Sequence, residues 1–154
     1  AYINRVSGRE MLLWNGSCIV HEMFSEKKII RLKAIWPEAL VLAHPECEEA
    51  VLRHADHIGS TSSILNYACE TGVRELIIAT EPGLIHRMQQ RCPDKQFIPA
   101  PPSNSCACNE CPHMKRNTLE KLYLCMRDQR PELTMDESLR SQALKPIQRM
   151  LELS

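Results

Sequence analysis

Three short apolar runs punctuate the first hundred residues: Leu40-Val41-Leu42-Ala43, Glu75-Leu76-Ile77-Ile78-Ala79 and Phe97-Ile98-Pro99. Runs this short suit buried strands, and the stretches between them carry apolar residues at helical spacing. Strands joined by helical crossovers run parallel, because a parallel partner cannot be reached by a tight hairpin. The pattern therefore predicts an α/β chain, a three-layer αβα sandwich around a short parallel sheet. Ser25 is placed to cap a helix reaching about Ile35, and Pro37 ends it. Glu48 to His54 reads as a short helix, Ile58 as a brief strand, and Ser62 to Glu70 as a helix stopped by Gly72. Pro82 suits the first turn of a helix running to about Arg91. Met11 to Trp14 reads as one more short strand, with Cys18-Ile19-Val20 just beyond the Asn15-Gly16 turn.

After residue 100 the character changes. Ala100 to Ser105 is a Pro- and Ser-rich loop that leads into a run of cysteines. Asn117 or Thr118 then starts a helix with Leu119, Leu122, Leu124 and Cys125 on or near its apolar side, and a polar break follows at Arg130-Pro131. Asp136 to Leu153 reads as a final helix, bent or interrupted at Pro146.

The chain has 154 residues, enough for one domain or two small ones. Nineteen basic residues balance nineteen acidic ones, so no broad positive field invites nucleic acid or anionic lipid. No apolar run approaches the roughly 18 residues of a membrane span, and none resembles a signal peptide. A cytoplasmic location is the expectation. The start at Ala1, entering directly into polar sequence, fits a fragment of a longer chain or a processed start.

Eight cysteines are the compositional anomaly. A small secreted domain could use them as disulfides, but they are scattered through self-sufficient βα units and no export signal precedes them. In a reducing compartment, clustered cysteines more often bind metal or do redox chemistry. Cys106, Cys108 and Cys111 lie close together among polar residues, with His113 just beyond. Structural zinc wants four ligands, commonly from two Cys-x-x-Cys knuckles, and only one is present here, Cys108 and Cys111. Cys106 and His113 would have to complete it. An iron–sulfur cluster can instead draw thiolates from distant loops. Spacing alone leaves zinc and iron both open. Cys69, Cys92 and Cys125 fall in helical patterns and read as ordinary, partly buried thiols, and Cys47 can be read the same way.

In a parallel α/β sheet, chemistry gathers in the loops after the strand carboxyl ends. That rule selects His44, Pro45 and Glu46; Gly59, Ser60 and Thr61; and Thr80 with Glu81. Each has an ordinary rival reading. His-Pro-Glu can be a turn set by its proline, and Ser60 or Thr61 can be a helix cap.

Five stretches, taken together and in order, resemble the quinolinate synthase family. They are Trp14 to Glu22 (WNGSCIVHE), His44 to Cys47 (HPEC), Gly59 to Ser62 (GSTS), Ala79 to Gly83 (ATEPG) and Cys111 to Leu119 (CPHMKRNTL). The resemblance implies a pseudo-threefold array of αβα domains around one central site, each giving one cysteine to a 4Fe–4S cluster with one iron left open. Cys18 matches the second ligand and Cys111 the third; the first belongs to an amino-terminal domain outside these residues. On that reading residues 1–17 end the second domain and 18–111 form the third. Residues 112–154 are then carboxy-terminal helices that pack on the first domain. The implied activity condenses iminoaspartate with dihydroxyacetone phosphate to give quinolinate for NAD synthesis. An aspartate oxidase or dehydrogenase would supply the iminoaspartate. His44 and Glu46 are the implied catalytic pair, and His44, Pro45, Glu46, Ser60, Thr61 and Thr80 the implied substrate contacts. His21 is expected near the cluster and Glu22 at the surface, while His86 and His113 are expected at the surface or behind the site. Cys106 and Cys108 are not ligands in the family pattern. A reversible disulfide between Cys108 and Cys111 is one conceivable use, and two reduced loop thiols the plain one. With two of three ligands, residues 1–154 are not expected to catalyse the reaction alone. Two other readings stand beside this one: a non-catalytic zinc-binding α/β module using Cys106, Cys108, Cys111 and His113, and a scaffold holding no metal.

Overall fold

The computed structural model describes residues 2–103 and 109–153. They form two units, residues 1–115 and 116–154.

In the first unit four strands, β1 (Leu40–Ala43), β2 (His57–Ile58), β3 (Glu75–Ala79) and β4 (Gln96–Pro99), make one all-parallel sheet in the order β2-β1-β3-β4. The strand periodicity of two divides the apolar runs between the faces. Val41, Ala43, Ile77 and Ala79 pack on one side with Ile29, Val51 and Leu52. Leu42, Leu76 and Ile78 pack on the other with Ile64, Leu65, Ala68, Leu84 and Met88. The first set of partners lies on α3 (Glu26–Ile35) and α4 (Glu49–Leu52), the second on α5 (Thr61–Glu70) and α6 (Gly83–Arg91). The αβα sandwich predicted from the alternation is the observed architecture. Two further short helices, α1 (Tyr2–Ser7) and α2 (Ile19–Glu22), precede the sheet. Tyr2 packs on the α3/α4 side and Arg5 pairs with Glu49 at 2.7 Å.

Local signals set most boundaries. The Ser25 hydroxyl accepts from Lys28 N at the start of α3, and the Ser60 hydroxyl from Ser63 N at the start of α5. Gly59 is required where it stands: a Cβ there would come within 2.5 Å of Ser63 Oγ. Two readings change. Met11 to Trp14 is not a strand; these residues pair with none of the described strands, and Leu12 and Trp14 are fully exposed. An apolar run becomes a strand only where a ladder partner takes up its backbone groups. Cys69 and Cys92 are not independent thiols but a disulfide, with Cα atoms 5.7 Å apart, because the ends of α5 and α6 meet on one face.

The second unit holds α7 (Leu119–Asp128) and α8 (Glu137–Glu152). Thr118 and Asp136 cap them by accepting from Lys121 N and Leu139 N. Gln129 ends α7 in the left-handed conformation, φ 52°. α8 runs unbroken through Pro146, whose missing N–H leaves the Gln142 carbonyl without its helical donor. Neither helix buries a residue; Leu119, Leu122, Ile147 and Leu151 are all exposed, as is Cys125.

The facing of α3 yields a direct test. Ile29 is fully buried, whereas its neighbour Ile30 is 48 % exposed. Ile29→Ala is expected to cost about 2–5 kcal/mol through lost burial and a residual cavity. Ile30→Ala should stay within about 1 kcal/mol. Urea unfolding midpoints of the two variants measure the difference.

Candidate functional site

The site is built where β1 and β3 end side by side. Their register, Ala43 opposite Ala79, is carried one residue further by His44 N donating to the Ala79 carbonyl at 3.1 Å. Pro45 then turns the chain, and Cys47 N closes the turn on the His44 carbonyl at 3.0 Å. The Cys47 thiol also reaches the Ala79 carbonyl, at 3.4 Å. The His-Pro-Glu turn is thereby fastened to the end of β3 by backbone and side chain together. Burial pushes the Cys47 thiol up to about 12, with the Cys18 and Glu46 charges acting in the same direction and a hydrogen bond from the His44 backbone opposing them.

His21 lies under this turn on α2 and is only 7 % exposed. Its Nδ1 is 3.0 Å from Glu46 Oε2 and its Nε2 is 3.1 Å from Thr80 Oγ1. An ionised carboxylate only accepts, so Nδ1 carries the proton, and in the neutral ring Nε2 then accepts from the Thr80 hydroxyl. One imidazole therefore joins the loop after β1 to the loop after β3. The His44 ring stacks on it, centroids 4.2 Å apart and planes within 9°. Glu46 N donates to His44 Nδ1 at 3.3 Å, which leaves the proton of neutral His44 on Nε2. Burial holds His44 below the ordinary histidine range, and the neighbouring His21 adds to this against the pull of Glu46.

Cys18 occupies the N-cap position of α2, but its thiol caps nothing and stays free and partly exposed. The chain returns to it from the far side. After β4, Pro102 bridges to Phe24, and the Asn109 side chain donates to the Val20 carbonyl, which ties the segment entering Cys111 to α2. A cleft of about 440 Å³ results, with Cys18, Cys111, His21, Thr61, Thr80 and Arg87 on its wall. A neighbouring cleft of about 620 Å³ is walled by Cys18, Pro45, Glu46, Glu49 and Trp14, so Cys18 borders both. The ligating atoms of Cys18, His21 and Glu46 lie within 4.8 Å of one another, a group that could hold a metal ion. Of its three members only the Cys18 thiol has no hydrogen bond among the described residues: His21 is engaged at both nitrogens.

The structure therefore gathers Cys18, Cys111, Thr61 and Thr80 on one cleft and sets Pro45 and Glu46 on the next, with His44 stacked behind His21. Ser60 caps α5, and its side chain is exposed outside both linings. Glu81 accepts from Gly83 N at 2.7 Å at the start of α6. His86, His113 and Glu22 are exposed. Cys106 and Cys108 lie outside the described residues, and with them the zinc quartet and the Cys108–Cys111 disulfide. Sequence reasoning missed Asn109, Arg87 and the tethering role of Cys47. Arg87 had a faint signal, one helical turn on from Gly83 at the cleft; Asn109 and Cys47 had none, since their partners are backbone carbonyls distant in sequence.

This is a three-layer α/β protein with a thiol-bearing cleft at the carboxyl edge of its sheet. The chain belongs to the quinolinate synthase family: the family model "NadA: Quinolinate synthetase A protein" matches residues 1–152. It is 63 % identical over 153 residues to a quinolinate synthase of Microcystis aeruginosa, with 99 % of this chain and 48 % of that protein covered. Over 154 residues it is 63 % identical to that of Chloroherpeton thalassium, with 99 % and 48 % covered. The quinolinate synthase of Rippkaea orientalis is 60 % identical over 153 residues, with 99 % and 47 % covered. The chain spans about half the length of these curated relatives. No described helix is long and apolar enough to cross a membrane.

Two outcomes follow for Cys47. Its thiol should resist alkylation in the folded protein at pH 8, where Cys18 and Cys111 react, and be modified only on unfolding. Its folded pKa lies above the unfolded one, so stability is full below about pH 9 and declines as pH rises from there toward about 12. Denaturant midpoints between pH 8 and 11 should fall, and the fall should be smaller in Cys47→Ala.

Proposed function

We propose that this chain is the carboxy-terminal part of a quinolinate synthase that, in its full-length form, condenses iminoaspartate with dihydroxyacetone phosphate to quinolinate. The observation that carries this reading is the pair of free thiols, Cys18 and Cys111, on one cleft wall together with Thr61 and Thr80. Two other free cysteines differ in character, Cys47 buried and hydrogen-bonded, and Cys125 exposed on α7. The site thiols are the partly exposed pair, the condition under which a cysteine can ligate.

The donor set fits an iron–sulfur cluster: Cys18 and Cys111 would hold it, with a third thiolate from the part of the protein that precedes these residues. Bound there, a three-cysteine 4Fe–4S cluster supplies a Lewis-acidic iron with an open position. The chain's own residues supply the rest. Thr61 offers its hydroxyl, and Arg87 a cation, toward a carboxylate or phosphate in the cleft, while Thr80, whose proton goes to His21, offers a hydroxyl oxygen that accepts from a substrate donor. Glu46 is exposed, with one oxygen held by His21, so its other oxygen is free to take or return a proton. His44, kept neutral by burial, presents Nε2–H as a donor. Pro45 fixes the turn that aims both. Ser60 adds its backbone and hydroxyl at the mouth of α5. On the same reading residues 1–17 close the second domain of the whole protein, 18–111 form the third, and the exposed apolar faces of α7 and α8 are covered by the first. A cytoplasmic enzyme supplied by an iminoaspartate-producing oxidase or dehydrogenase completes the proposal.

Anaerobic iron and sulfide analysis of the full-length protein tests it. Cys18→Ser and Cys111→Ser should each lose the brown chromophore and most of the iron, while Cys125→Ser should retain both. Stoichiometric zinc without iron or sulfide would overturn the assignment in favour of a zinc module. In the iron-replete protein, Glu46→Gln should lower kcat by about 10²–10⁴-fold, the range for loss of a general acid–base, with iron content unchanged. Residues 1–154 alone should form no quinolinate.

A further inference from the structure

At the opposite end of the sheet from the cleft, the last turn of α5 meets the end of α6. Cys69 lies eight residues beyond Thr61, about 12 Å along the helix, and Cys92 caps α6. Their Cα atoms are 5.7 Å apart, the ordinary spacing of a disulfide. We propose that Cys69 and Cys92 are a redox-responsive pair, a dithiol that oxidises to a staple between α5 and α6 independently of the thiols at the cleft.

Four hydrogen bonds hold this seam without any sulfur chemistry. The Lys95 ammonium donates to the Thr71 carbonyl and, at 3.0 Å, to the Val73 carbonyl. The loop after Cys92 is thereby tied to the loop after Cys69. Gln96 N donates to the Arg74 carbonyl at 2.9 Å, and Arg91 donates to Asn66 at 3.0 Å between the two helices. The thiols are thus aligned before they react. Both sit at helix carboxyl ends, where the backbone dipole disfavours a thiolate, so neither is a reactive nucleophile on its own account. What drives bond formation is their enforced proximity. The same dipoles make each sulfur a poor leaving group, and the closed bond is slow to reopen.

The order of events follows from exposure. Cys69 is half-buried and Cys92 is 5 % exposed. Cys69, deprotonated, attacks a sulfur of a low-molecular-weight disulfide, forming a mixed disulfide and releasing one small thiol. Cys92 then loses its proton and attacks the Cys69 sulfur, releasing the second. Two protein thiols and one small disulfide become one protein disulfide and two small thiols, and the small disulfide takes up the two electrons. The closed loop has a sequence separation of 23 and encloses β3, so the cross-link restricts the unfolded chain across the central strand. Its effect is to stabilise the layer whose helices begin at Thr61 and Gly83 beside the cleft.

The full-length protein, equilibrated anaerobically over a series of oxidised-to-reduced small-thiol ratios, is quenched with an alkylating agent and digested. A cross-linked peptide pair carrying Cys69 and Cys92 should appear and disappear with the ratio, and Tm should be several degrees higher in the oxidised form. Cys69→Ser and Cys69→Ala should each abolish both the cross-link and the Tm difference. Lys95→Met should slow cross-linking several-fold, since it loosens the alignment. Alkylation of both cysteines at every ratio would overturn the proposal. So would a cross-link that leaves Tm unchanged, a Tm difference that survives in Cys69→Ser, or cross-linking in Lys95→Met as fast as in the parent.

Discussion

The register of β1 on β3 is the constraint from which the rest of the first unit follows. Four consecutive residue pairs, from Leu40–Leu76 to Ala43–Ala79, end both strands at the same level. That common end lets the Ala79 carbonyl receive both His44 N and the Cys47 thiol, and it brings Thr80 within reach of His21. A slip of β1 by one residue would turn Val41 and Ala43 to the wrong face and draw the two loops apart. The core thus fixes the geometry of a site to which it contributes no functional atom.

His21 shows how polar groups complete what the register begins. It is buried, yet both nitrogens are satisfied by side chains from different strand ends, and its ring is covered by His44. A buried imidazole with a partner at each nitrogen has one tautomer and one orientation. Glu46, although more than half exposed, is therefore held by one oxygen while the other remains available. Cys18, three residues back along the chain, is left without such a bond. The contrast between a saturated histidine and an unsaturated thiol separates a supporting group from one open to a partner more sharply than either residue type does.

The two kinds of cysteine chemistry are kept apart by the same parallel topology. Helices that follow parallel strands begin at the site edge and end at the other, so Cys69 and Cys92, at the carboxyl ends of α5 and α6, lie away from the cleft. Cys18 borders the cleft; Cys69 and Cys92 close a seam behind an apolar face. Composition alone could not divide eight cysteines in this way, because the division depends on which end of the sheet each residue reaches.

Much of this was legible in the sequence. Apolar runs bounded by polar turns specified three of the strands nearly to the residue, since burial of a short run leaves few other solutions, and Ser25, Ser60 and Thr118 announced their helices by capping chemistry. The positions after the strands were also predictable, as parallel sheets gather their carboxyl ends; His44, Glu46, Thr61 and Thr80 came from that rule, and Cys18 and Cys111 from the resemblance of short motifs. Tertiary structure alone decided the remainder. Met11 to Trp14 lacked only a ladder partner to become a strand, which no local pattern reports. The hydrogen bonds of Cys47 and Asn109 end on backbone carbonyls, which carry no sequence signature. The meeting of Cys69 with Cys92 required two helices to terminate together on one face. Periodicity and capping are properties of neighbours in the chain, whereas a site and a cross-link are properties of neighbours in space.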